Sequence, residues 1–290
     1  MSSKNRRVKA LIVVIALFGT MAILLEVNAG SGNPDATFGN GGKLADWLGA
    51  ARGVAIQPDG KIVAVGASYP SGELGVARYN ADGSPDPTFG GGDGKVSVSV
   101  ITFITSLTAF GVAIQQDGKI LIACDDDDQG LGALVRLDPD GSLDTSFWGG
   151  WVDTYPSRSI AVLPDGKIIA SGSGIRRFHP DGSPDASFGN CGGIFAAWLP
   201  AVAIQPDGKI LAGGAGSNAV RLARCNSDGS PDLTFNASSS MDTGTGREII
   251  VQPDNKILVS GVWQNSNPNW RAVVRLNSDG TRDSSFNALI

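Results

Sequence analysis

Val202-Ala203-Ile204-Gln205-Pro206-Asp207-Gly208-Lys209-Ile210-Leu211 reads as a β-hairpin, two apolar runs joined by a tight turn. Proline fixes φ at the first turn position, and Asp then Gly follow where left-handed φ is required. The pattern occurs four more times, around Gln57–Lys61, Gln115–Lys119, Leu163–Lys167 and Gln252–Lys256. Its lysine recurs at 61, 119, 167, 209 and 256, in steps of 42 to 58 residues. Steps of that size belong to repeat architectures, in which one supersecondary unit hides its apolar face only by stacking on the next.

A second motif, R-x-[NDH]-x-D-G-[ST]-x-D-x-[ST]-F, follows each hairpin. Its copies run from Arg78 to Phe89, Arg136 to Phe147, Arg177 to Phe188, Arg224 to Phe235 and Arg275 to Phe286. A partial sixth copy stands earlier, at 33–38. Each unit reads as four short strands: one after the Phe and its Gly-rich turn (Lys43 to Trp47, Lys95 to Val100), two in the hairpin, and one carrying the Arg. Segments such as Ile62-Val63-Ala64-Val65 are apolar on both faces, so both faces need covering. Four-stranded sheets covered on both sides and repeated radially describe a β-propeller. The sequence therefore predicts an all-β, five-bladed ring closed by the N-terminal strand near Lys43 to Trp47, the alternative being an open or six-bladed arrangement.

These two motifs, recurring in fixed order, resemble the delta-60 repeat family of β-propellers. The resemblance spans nearly all of residues 30–290 and implies an exported bacterial protein with no assigned activity. Departures are Gln116 for Pro, Asn255 for Gly, and a third unit with little connection around Ser171 to Ile175. Asn tolerates left-handed φ, so Asn255 keeps its turn.

Residues 1–29 read as a signal peptide: Lys4, Arg6, Arg7 and Lys9, then an apolar run from Leu11 to Leu25, then Val27-Asn28-Ala29 as a small-x-small cleavage site. The run is short for a membrane span and contains Gly19-Thr20, so cleavage rather than anchoring is expected. The whole chain carries −5, and losing this segment's net +3 leaves −8. An acidic chain without a basic stripe argues against nucleic acid and anionic lipid as partners. The expected address is secreted, periplasmic or cell-surface, with a protein or glycan partner and no membrane attachment after cleavage.

The three cysteines suggest no disulfide framework. Cys225 fills the slot of Tyr79, Leu137, Phe178 and Leu276 and reads as a buried apolar filler; Cys124 takes a Gly position; Cys191 stands alone in a Gly-rich turn.

The repeated Arg and Asp read as structural pairs, because catalysis needs one unique constellation and these recur in every unit. D-G-S-x-D segments such as Asp138, Asp140 and Asp144 resemble calcium loops but lack a closing Glu, and read as Asx-turns. Asp125, Asp126, Asp127 and Asp128 break the repeat, read as a loop, and are the calcium candidate; no other cofactor is expected. His179 occupies a turn slot and supports neither a triad nor a metal site. Trp47, Trp151 and Trp198 are expected between blades, whereas Trp263 and Trp270 flank a polar loop and are the ligand-binding candidates. The functional expectation is a non-enzymatic binding or scaffold module. Its alternatives are a secreted polysaccharide hydrolase or lyase on the same scaffold, and a carbohydrate-binding lectin.

Overall fold

The computed structural model describes residues 34–286 except 45–47, 69–72, 100–107, 127–130, 150, 155, 190, 192–197, 216–219, 238–243 and 266. The described residues are all β, with no helix long and apolar enough to cross a membrane. The expected signal peptide and the C-terminal residues 287–290 lie outside them.

Five antiparallel blades follow one another along the chain. Blade 1 comprises β1 (Leu48–Ile56), β2 (Ile62–Ser68), β3 (Leu74–Tyr79) and β4 (Lys95–Val98) in that order across the sheet. Blade 2 repeats the order with β5 (Thr108–Ile114), β6 (Ile120–Asp126), β7 (Leu131–Leu137) and β8 (Trp151–Thr154). Among the described residues blades 3 to 5 show three strands each: β9 (Ser157–Val162), β10 (Ile168–Gly172) and β11 (Gly174–Phe178); β12 (Trp198–Ile204), β13 (Ile210–Ala215) and β14 (Val220–Cys225); β15 (Gly244–Val251), β16 (Ile257–Asn265) and β17 (Asn267–Leu276). Among the described residues one strand-ladder pair, Ala215 with Thr245, joins the sheets of blades 4 and 5. The expected five-bladed propeller is thus the observed architecture. The strand after the Phe lies outermost, where Lys95–Val98 pairs with the Arg strand β3 of its own unit.

The first strands β1, β5, β9, β12 and β15 pack successively against one another and form the inner wall. They approach closely because small residues line the contact. A Cβ on Gly53 would come within 2.7 Å of the Phe110 carbonyl oxygen, and one on Gly111 within 2.9 Å of that of Arg158. Four apolar clusters fill the four successive blade junctions. Between blades 2 and 3, for example, Leu121, Ala123, Leu134 and Phe147 meet Ile160, Val162, Ile168, Ala170 and Phe178. No side chain in that set is more than 8% exposed.

The end faces differ. Val54 and Ile56 on the front of blade 1 are 68% and 40% exposed, and Ile250 on the back of blade 5 is 41% exposed. Of the expected closing strand, Lys43 bridges Gly39 within its own turn, and 45–47 lie outside the described residues.

Candidate functional site

The tail motif is a joint between blades. In all five units the Arg Nε donates to the Asp eight residues on, at 2.6 to 2.8 Å. The pair is built through one carboxylate oxygen, which the hairpin lysine also reaches: Lys61, Lys119, Lys167, Lys209 and Lys256 stand 2.8 to 3.2 Å from Asp86, Asp144, Asp185, Asp232 and Asp283. The other oxygen accepts the amide and hydroxyl of a Thr or Ser two residues on, as Asp144 does from Ser146. Each guanidinium lies over the ring of the motif's own Phe, with 4.4 to 4.7 Å between its central carbon and the ring centroid.

Nη2 donates to the Thr or Ser hydroxyl ten residues on, and Nη1 reaches into the next unit. Nη1 of Arg78, Arg136, Arg177 and Arg224 donates to the carbonyl of Pro139, Pro180, Ser227 and Ser278 in turn. The phenylalanine crosses too: the Phe147 ring would lie 2.9 Å from a Cβ on Gly182 of the following unit. Arg78, Arg136 and Arg224 are thus buried, and the first four arginines spend their donors within the joint, as a structural pair requires.

Burial opposes ionisation of Asp86, Asp144 and Asp232, but the hydroxyl, amide, Lys and Arg donors around each outweigh it and hold the carboxyls far below the usual range. Asp140 is capped by the Ser142 hydroxyl and amide, as an Asx-turn requires, and its carboxyl is also lowered. Asp138 meets Lys119 at 2.5 Å.

Cys191 and Cys225 form a disulfide, with 5.6 Å between their Cα atoms. This corrects the expectation of no disulfide framework and of Cys225 as a filler. The tail of unit 3 docks on the turn of unit 4, with Gly189 N–H donating to the Asp228 carbonyl and Cys191 N–H to that of Gly229. Docking brings the lone Cys191 beside the last residue of β14, which comparing repeats slot by slot does not reveal. Cys124 is a buried free thiol, pushed up by burial.

All hairpin turns and tail motifs lie at one end of the blades. The connections at the opposite end, such as those from β2 to β3 and from β6 to β7, vary in length. At that opposite end each inner strand carries a register shift at an equivalent point: at Arg52, Phe110, Arg158, 199–200 and Arg247. A bulge re-aims its extra residue and leaves it out of the ladder. Three of these residues meet. The Arg52 and Arg158 guanidiniums lie over the Phe110 ring at 4.6 and 4.2 Å. Arg158 Nε donates to Asp125 at 2.7 Å, whereas the exposed Arg52 makes no ion pair among the described residues. Sequence reasoning missed Arg52, Phe110 and Arg158; the available signal was a variable residue before a mostly small one (Gly53, Gly111, Ser159, Ala201, Glu248) in each unit.

Asp125 needs a second correction. It was expected in a loop, but β6 runs to Asp126, and the Asp125 carboxylate is 1% exposed and committed to Arg158 of the next blade. The backbone ladder continues because Asp125 pairs with both Thr108 and Gly132. Asp127 and Asp128 lie outside the described residues, as do Trp47 and the side chains of Asp126, Trp151, Trp198, Trp263 and Trp270. Rather than forming a loop, the polar residues beyond Trp263 and before Trp270 continue the strands, β16 to Asn265 and β17 from Asn267, with the two tryptophans opposite in register. Trp148 is 58% exposed at φ 47°, and His179 Nε2 lies 4.0 Å from Asp185. Among the described residues no three His, Cys, Asp or Glu side chains are grouped to hold a metal ion.

Five blades joined by one recurring Arg–Asp–Phe device define a repeat β-propeller. The family model described as "Domain of unknown function (DUF5122) beta-propeller" matches residues 57–89, 115–147, 163–188, 205–235 and 252–286, more than half of the chain. The protein belongs to this family, in agreement with the resemblance drawn from its motifs. No curated protein matches the chain.

Several solved structures are similar to the chain at low identity. Hydrazine synthase of Kuenenia stuttgartiensis is 19% identical with a TM-score of 0.53, over 83% of this chain and 39% of that one. The PQQ-bound aldose sugar dehydrogenase of Streptomyces coelicolor is 13% identical with a TM-score of 0.47, over 81% and 84%. The gluconolactonase of Xanthomonas campestris is 15% identical with a TM-score of 0.44, over 72% and 68%.

Proposed function

We propose that this protein is an exported, non-catalytic binding module, a propeller whose joint end is scaffold and whose variable-loop end receives the ligand. The observation that carries this reading is how the ionisable groups are distributed. At the joint end Arg, Lys and Asp repeat the same arrangement blade after blade, with their hydrogen bonds directed at one another and, from blades 1 to 4, at the next blade. At the loop end the bulge residues differ from blade to blade, and one guanidinium there stands exposed. Differentiated surface on a rigid repeat scaffold is where recognition is built. The disulfide supports export, because such bonds persist in oxidising compartments.

A glycan array run beside hydrolysis and elimination assays on the same polymers tests the reading. It predicts binding without turnover. Cleavage of any bound polymer would replace it with the enzyme alternative.

A further inference from the structure

We propose that the loop end of the inner wall, where blades 1 to 3 meet, binds the carboxylate of a uronic-acid-containing polysaccharide through Arg52. This deepens the binding-module reading and rests on it.

The argument starts from the bulges. Arg52, Phe110 and Arg158 come from three successive inner strands, each at the residue that the ladder omits. Phe110, from the middle blade, takes a guanidinium from each neighbour over its ring. Stacking uses the flat face of a guanidinium and leaves its N–H edge directed outward, a preorganised fork for a carboxylate. Arg158 commits its Nε to Asp125. Arg52 is exposed, its guanidinium lies over the Phe110 ring, and it makes no ion pair among the described residues. The register places Arg247 of β15 at the equivalent bulge, with Glu248 in the slot that Gly53, Gly111, Ser159 and Ala201 fill elsewhere.

Two features favour a sugar chain over an acidic peptide. Bulges remove residues from the strand ladder, which frees backbone donors and acceptors of the kind that hydroxyls satisfy. The three side chains that meet are two cations and a ring already stacked by them, which suits a charged, hydroxyl-rich ligand better than the apolar anchors of a peptide. The protein's overall negative charge restricts attraction to this short-range contact, because about 8 Å of physiological electrolyte screens the rest.

Isothermal titration of the whole protein with oligogalacturonate, its methyl ester and a poly-glutamate peptide tests the proposal. Oligogalacturonate is expected to bind, more weakly as salt rises, while the ester and the peptide bind at least tenfold more weakly. Arg52→Gln should weaken binding at least tenfold at unchanged melting temperature, Arg52→Lys less, and Phe110→Leu by an intermediate factor. Absence of oligogalacturonate binding, equal binding of the ester, preference for the peptide, or an Arg52→Gln variant that binds like the parent would each overturn it. Should neutral glycans bind without turnover while these arms fail, the uronate assignment falls and the binding-module reading stands.

Discussion

Val162 in blade 3 and Ile56 in blade 1 occupy the same place before the hairpin turn, yet one is 8% exposed and the other 40%. Ile160 and Val54, two residues earlier, repeat the contrast at 8% and 68%. The same holds for the joint: the Arg136 side chain is 8% exposed and spans to Pro180, whereas that of Arg275 is 22% exposed, with no following carbonyl on Nη1 among the described residues. One sequence pattern thus gives two environments, and the difference lies in the neighbour rather than in the unit. A single repeat cannot bury its own apolar surface, so terminal faces keep what interior faces hide.

The contrast predicts unequal consequences for equal substitutions. Ile168 is fully buried at the junction of blades 2 and 3, so Ile168→Ala should cost about 4 kcal/mol, within the range for cavities of this size. The equivalent Ile62→Ala in blade 1, where Ile62 is half-buried, should cost less than half of that in the same urea titration. Arg136→Ala breaks a buried pair and a link between blades. Lys119 still neutralises Asp144, which keeps the loss near the lower end for such pairs, about 3 kcal/mol. Arg275→Ala should lower the denaturation midpoint by clearly less.

The Cys191–Cys225 bond closes a 34-residue separation, so reduction should cost about 4 kcal/mol on a chain-entropy account, read as a fall in the midpoint on adding reductant. Cys191→Ser should reproduce that fall without reductant.

Acid supplies a graded test. The joint carboxyls have folded pKa values depressed below their unfolded ones, so their stabilisation is complete above the ordinary aspartate range, begins to fall as pH enters that range, and is gone only below the depressed folded values. Stability should decline progressively below about pH 5, and Asp144→Asn should flatten that decline. The smallest effect is expected at the uncovered face: Val54→Ser should shift stability by no more than about 0.5 kcal/mol.

The blades were legible in the sequence because turn chemistry is local. Pro206-Asp207-Gly208 states its own conformation, and Asn255 adopts φ 64° where its equivalents are glycines. The Arg–Asp pair was legible for the same reason, since its partners are eight residues apart. What the pattern did not disclose depends on docking between units. The hairpin lysines carry no mark in the sequence of their approach to the joint carboxylates, and Cys191 reaches Cys225 only because a tail lies on the next turn. The bulges were hidden too. Arg52, Phe110 and Arg158 share no side-chain character, and their shared property is a backbone register set by the neighbouring strand. Asp125 was misread because four adjacent carboxylates suggest solvent, while one of them had a cation waiting in the next blade.

Hydrogen–deuterium exchange read separately over the five second strands β2, β6, β10, β13 and β16 tests the dependence on neighbours most directly. The account predicts slowest exchange in β6, β10 and β13, which have a blade on either side, and earlier exchange in β2 and β16. Equal protection in all five would contradict it, and would show that the faces carrying Val54 and Ile250 are covered like the rest.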